Sequence, residues 1–133
     1  MNISKSIHYK LANDATVAAI VSSRIYQVVL PQSATYPAIM IQKISDVPFS
    51  DDHGNDLFRA RIQVNSYHTD YASCQTLATA VMNAIDFITQ TTINGMSVVE
   101  ISIEDENELI SDFAGFEGIF IVAQDYAVTY QRG

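Results

Sequence analysis

One stretch of the chain, Leu57 to Ile88, changes its hydrophobic period partway along, and that change restricts the fold more than anything else in the sequence. From Phe58 to Asn65 apolar and polar residues alternate. Phe58, Ala60, Ile62 and Val64 share one face, while Arg59, Arg61, Gln63 and Asn65 share the other, the pattern of a half-buried strand. Past Thr69-Asp70 the spacing becomes three and four, through Tyr71, Cys74, Leu77, Ala78, Val81, Ile85 and Ile88. That is the apolar stripe of a helix. Thr69 or Asp70 is suited to cap it, since either side chain can accept a backbone N–H of the first turn. The middle of the chain therefore predicts a strand running directly into an amphipathic helix.

On either side the signals are shorter. Ser4 to Ser22 reads as helical, with Asn13-Asp14 as a weak point or a turn between two short helices. Arg24 to Leu30 is β-prone and stops at Pro31, which cannot donate to a ladder. Ala38 to Ser45 reads as a strand, joined to Phe58–Val64 by a loop rich in turn formers. After the central helix, Asn94-Gly95 marks a turn and Ser97 to Glu104 a strand, with Val99, Ile101 and Ile103 expected inward. Asp105 to Gly118 reads as an acidic loop dotted with aromatics, and Ile119 to Tyr130 as a last long strand. The expected fold is α+β in the order α-β-β-α-β-β. An antiparallel or mixed sheet of four to five strands carries two main helices on one face. The chain, 1–133, is expected to be a single domain.

Function classes narrow by chemistry. A net charge of −8 opposes contact with phosphates, so neither nucleic acid nor an anionic membrane surface is an expected partner. The N-terminal segment is interrupted by Asn13, Asp14 and Thr16, unlike a signal peptide, and no run reaches the ~18 apolar residues of a membrane span. A single cysteine, Cys74, forms no internal disulfide, and the chain reads as cytosolic in origin. His8, His53 and His68 have no metal-binding spacing. The run Asp51, Asp52, His53, Gly54, Asn55, Asp56 concentrates oxygen ligands, but without the order of a calcium loop it reads as a solvated hairpin tip. Cys74 falls on an apolar helical stripe and reads as a small core hydrophobe. Nucleophile-elbow and phosphate-loop patterns are absent from a chain with five glycines. No enzyme activity, metal or cofactor is expected.

Two features call for a surface role. Arg59 and Arg61 lie on one strand face in a chain with seven basic residues, either solvated or turned to acidic groups of another subunit. Glu104, Asp105, Glu106 and Glu108 precede Leu109, Ile110, Phe113 and Phe116, a charged run beside apolar residues that can fold back or dock on a partner.

The order of phrases resembles the tail-completion (tail terminator, or tail-to-head joining) proteins of long-tailed phages and prophages. The resemblance lies in Val17-Ala18-Ala19-Ile20-Val21, Arg24-Ile25-Tyr26, Leu30-Pro31-Gln32 and Tyr36-Pro37-Ala38-Ile39-Met40-Ile41-Gln42. It continues in Arg59-Ala60-Arg61-Ile62-Gln63-Val64, Tyr71-Ala72 and Asp125-Tyr126-Ala127-Val128-Thr129-Tyr130. It implies a virion structural protein, assembled in the bacterial cytoplasm. A ring, usually of six copies, would cap the head-proximal end of the tail tube, end its polymerisation and offer the surface for head joining. The implied partners are further copies of the chain, the tail-tube protein and the head connector or head-completion protein. DNA would only pass through the acidic lumen. Within that resemblance Arg59, Arg61, Glu104, Asp105, Glu106 and Glu108 become candidates for subunit contacts. Asp51, Asp52, His53, Asn55 and Asp56 become candidates for contact with tube or connector. The competing expectations are a head-completion or minor tail protein at another position, and a small α+β ligand-binding module.

Overall fold

The computed structural model describes residues 3–31, 35–48, 57–86, 88–111 and 118–131. Among the described residues three helices and six strands follow one another: α1 (Ile3–Ala12), α2 (Ala15–Val21), β1 (Ile25–Gln27), β2 (Ala38–Pro48), β3 (Leu57–His68), α3 (Tyr71–Ile85), β4 (Ile88–Ile93), β5 (Met96–Ser111) and β6 (Ile119–Gln131). The strands form one sheet in the order β1-β2-β3-β6-β5-β4. Only β1 and β2 run parallel; the other neighbours are antiparallel. The expectation of four to five strands and two main helices in α-β-β-α-β-β order is thus corrected to a six-stranded mixed sheet with three helices.

Each departure has a local cause. The N-terminal helical stretch divides because the Asp14 carboxylate accepts from the amides of Thr16 and Val17, both at 3.0 Å, and so starts α2 afresh. Helix α3 begins after Asp70, whose side chain accepts from Ser73 N at 2.9 Å. It ends at Ile85 rather than Ile88, because Asp86 turns extended and its carboxylate takes the Ile103 amide at 2.9 Å. Ile88, three residues after Ile85 and so compatible with a helical stripe, instead opens β4. Threonine-rich and mostly exposed, β4 lacks an apolar alternation that would reveal it, but the Asn94-Gly95 turn pairs it with β5. Both turn residues have positive φ, as a two-residue hairpin of this hand requires.

Strand β5 departs most from expectation. It continues through Ser111, so the segment Asp105–Ser111 is strand and not loop, paired residue for residue with Ile119–Asp125 of β6. Two bulges interrupt it, with Val99 and Glu104 as the extra residues. The first bulge shifts the alternation: Val98 and Ile101 are buried, and Val99, expected inward, is only half-buried.

All three helices contribute to one core against the sheet. Ile7, Leu11, Val17 and Val21 from α1 and α2 meet Leu77, Val81 and Ile85 of α3. Under them lie Ile39 and Ile41 of β2, Ala60, Ile62 and Val64 of β3, and Tyr126, Val128 and Tyr130 of β6. The expected inward residues of β3 and α3 are the ones that meet, although Tyr71 at the start of α3 stays exposed. No helix among the described residues is long and apolar enough to cross a membrane.

Candidate functional site

Among the described residues, chemistry does not converge on a pocket. Among the described residues no three His, Cys, Asp or Glu side chains gather as metal ligands. The His8 Nε2 faces the carbonyl of Ile25 at 3.2 Å, and His68 Nδ1 accepts the Thr69 amide at 2.8 Å, so both rings brace backbone. Cys74 is buried, and its one S–H is shared between the carbonyls of Ser66 and Phe120, each 3.3 Å from Sγ. Burial pushes that thiol above its usual range, the reverse of an activated nucleophile.

The informative surfaces are the sheet's helix-free face and its two margins. Directly paired residues share a face, so register assigns them. Arg59, Arg61, Gln63, Asp125 and Asp105 point away from the helices, whereas Glu106 and Glu108, opposite Gln124 and Val122, point to the helix side. On the helix-free face Arg61 donates to Asp125 Oδ2 at 3.1 Å and Gln63 donates to Oδ1 of the same carboxylate at 3.1 Å. Asp125 is nearly buried, while half of the Arg61 side chain remains exposed. Arg59 stands opposite Thr129 on β6, which in turn stands opposite Glu100 on β5. The two arginines therefore sit together as expected, with Arg61 engaged within its own chain.

The acidic segment is divided between faces. Asp105 shares the arginine face, and its Oδ1 accepts the Glu106 amide at 2.9 Å. On the other face Glu106 accepts from Gln124 Nε2 at 2.8 Å, and Glu108 accepts from the Tyr71 hydroxyl at 2.7 Å. That last bond holds the Tyr71 phenol above its ordinary range, because ionisation would set it against the carboxylate. Tyr71 also packs edge-on to Phe120 at 5.7 Å. Beside them a shallow groove of about 260 Å³ is lined by Tyr71, Cys74, Glu108, Leu109, Ile110 and Phe120, among others. Leu109 and Ile110 at its rim are 55% and 60% exposed. Asp51, Asp52, His53, Asn55 and Asp56, and likewise Phe113 and Phe116, lie outside the described residues.

Sequence reasoning overlooked Asp125, Gln63 and the Tyr71–Glu108 pair.

The two hairpins point in opposite directions. Strands β2 and β3 turn at the end of the sheet where Pro48 faces Phe58, whereas β5 and β6 turn at the other, where Ser111 faces Ile119. Both sheet margins are also left partly uncovered. Among the described residues β1 pairs only with Ile39–Ile41 of β2, and β4 only with Met96–Ile101 of β5. Among the described residues no strand lies beside Gln42–Pro48 or Ser102–Ser111, which form diagonally opposed free margins apart from the Ile103 amide, held by Asp86. Exposed Ile44 and Val47 mark the first, Leu109 and Ile110 the second.

Strand margins and hairpin ends, surfaces on which a further chain can pair, are what the described residues present, as in the class of assembly proteins. The comparisons make that class particular: the model of the family "Tail completion protein gp17" matches residues 5–120, and the chain belongs to that family. It is a phage tail structural protein whose location is the virion tail. Its fold is similar to that of a chain in "Virion of native gene transfer agent (GTA) particle", with a TM-score of 0.76 at 15% identity over 96% of this chain and 94% of that one. No curated protein sequence matches.

Proposed function

We propose that the chain is the terminator of its tail: a ring, of six copies, that caps the head-proximal end of the tail tube. There it ends tube polymerisation and offers the docking surface for the head connector. One observation carries this reading, namely that the β2–β3 and β5–β6 hairpins turn at opposite ends of a single sheet. A subunit standing in a ring would thus turn one hairpin to the tube and the other to the head. The β2–β3 end carries Asp51, Asp52, His53, Asn55 and Asp56 as contacts for tube or connector. Arg59, Arg61, Glu104, Asp105, Glu106 and Glu108 would line or flank the contacts between subunits.

A charge of −8 per copy supports a lumen through which DNA slides without being gripped. The work is done by surfaces of one domain, with no reaction catalysed. Removing the gene from the phage or prophage tests the reading: tails should grow beyond their normal length and remain unjoined to heads. Tails of normal length would reject it. Deleting residues 51–56 should leave the chain folded, as judged by circular dichroism, and abolish infectious particles.

A further inference from the structure

We propose that neighbouring copies join by strand addition, the free β2 margin Gln42–Pro48 of one copy pairing antiparallel with the free β5 margin Ser102–Ser111 of the next. The inference rests on the ring reading above and names the contact that would close it. Strand directions alternate from β2 through β3 and β6 to β5, so β2 and β5 run oppositely in each copy. In a cyclic ring every copy has the same orientation, and the added pairing is then antiparallel, continuing the sheet.

Charge selects the partner strand. The β5 margin carries Glu104, Asp105, Glu106 and Glu108 and no basic residue. A two-fold pairing of β5 with β5 would set these carboxylates against one another. The β2 margin instead holds a cation and an anion, Lys43 and Asp46, 3.3 Å apart; Lys43 stands opposite the core residue Ile62 and hence lies on the helix side of the sheet. Glu106 and Glu108 are on that same side. Antiparallel alignment of the two spans, end to end, sets Lys43 among them.

The covered parts also fit. Strand β4 lies beyond one end of the incoming β2 margin, and the incoming β1 lies beyond the end of β5. Exposed Val28 and Val29, which follow β1, then abut exposed Leu109 and Ile110. The centres of the two free spans differ by about four to five residues, or ~15 Å, across four strand spacings of ~19 Å in all. The resulting tilt is ~38°, of the size at which sheets close into barrels.

On the β5 margin the Ile103 amide is taken by Asp86 Oδ1 and the Glu106 amide by Asp105 Oδ1, which leaves donors further along the strand. The Glu106 amide turns off the ladder to Asp105 Oδ1, so by alternation the amides of Glu108 and Ile110 also face the free margin. Ile110→Pro therefore removes a margin donor and leaves the β6 ladder whole. Glu108→Lys disables the same margin without proline. The paired change Lys43→Glu with Val47→Glu disables the β2 margin.

Sedimentation of the full chain provides the test. Wild type should assemble into a ring, and each variant should remain monomeric. A mixture of a β5-margin variant with the β2-margin variant should form one-to-one dimers and nothing larger, because each retains the margin the other lacks. Variants that assemble like wild type would overturn the strand-addition contact and leave the ring reading standing. Dimers formed by the β2-margin variant alone would indicate β5–β5 pairing and overturn it likewise. A mixture that stays monomeric would also reject it, and a wild-type chain that associates neither alone nor on purified tail tubes would overturn both readings.

Discussion

The two halves of β5 share a strand and almost nothing else. Met96 to Ile103 lies between β4 and β6, with Val98 and Ile101 buried in the core beneath the helices. Glu104 to Ser111 has β6 on one side and, among the described residues, no strand on the other. The side chains from Glu104 to Ile110 are exposed. The first half is a strand because apolar side chains need burial. The second is a strand because β6, whose alternate residues Val122 and Gln124 are buried, offers it a row of backbone partners. Strand conformation can thus be imposed from the neighbour, and such a segment keeps its side chains available for assembly.

Several measurements can break or sharpen that contrast. The largest effect belongs to the first half: Ile101→Ala should destabilise the fold by about 2–5 kcal/mol in denaturant titrations, as core truncations do. Ile110→Ala should stay within about 0.5 kcal/mol, as exposed changes do. Equal losses at the two positions would dissolve the distinction.

Next comes the strand that serves both halves. Asp125→Ala leaves Gln63 and Arg61 without their shared acceptor and should cost about 1–3 kcal/mol. Arg61→Ala, half exposed, should cost no more than about 1 kcal/mol.

Tyr126 gives a smaller effect with a pH signature. Its hydroxyl donates to Gln124 Oε1 at 3.0 Å, and burial, aided by the charges of Asp86 and Glu106, raises its pKa above the ordinary 10.0. Raised in the folded state, it contributes stability that is complete below pH 10.0 and lost as pH climbs through the higher folded value. Tyr126→Phe should cost about 1 kcal/mol at neutral pH and flatten the alkaline decline in stability. An unchanged alkaline limb would assign that decline to other tyrosines.

The smallest effect is expected at the cap of α3. The Asp70 carboxylate is held below its usual range, chiefly by its bond from the Ser73 amide. Its contribution is present above the unfolded carboxylate pKa and lost as pH falls through the lower folded value. Asp70→Asn should keep the cap and remove this acid dependence, whereas Asp70→Ala should lose both, as melting curves at several pH values would record.

What the sequence determined by itself was the β3–α3 unit, the apolar faces that meet in its core, and the family. Strand and helix periods are local properties, and Phe58–Val64 and Leu77–Ile85 display them without help from the rest of the chain. The solitude of Cys74 and the absence of catalytic motifs were equally legible. Tertiary structure alone decided β4, the second half of β5 and the division of the acidic run between two faces. Thr89 to Thr92 and Glu104 to Glu108 have no hydrophobic period of their own, and their conformation comes from ladders to residues distant in the chain. The bulge at Val99 moved the inward position to Val98, because a single inserted residue reverses every side chain before it relative to those after. Arg61 found Asp125 for the same reason: a partner 64 residues away is set by register, which no local pattern contains. Local periodicity thus gave the scaffold, and long-range pairing set which margins stay open for other chains.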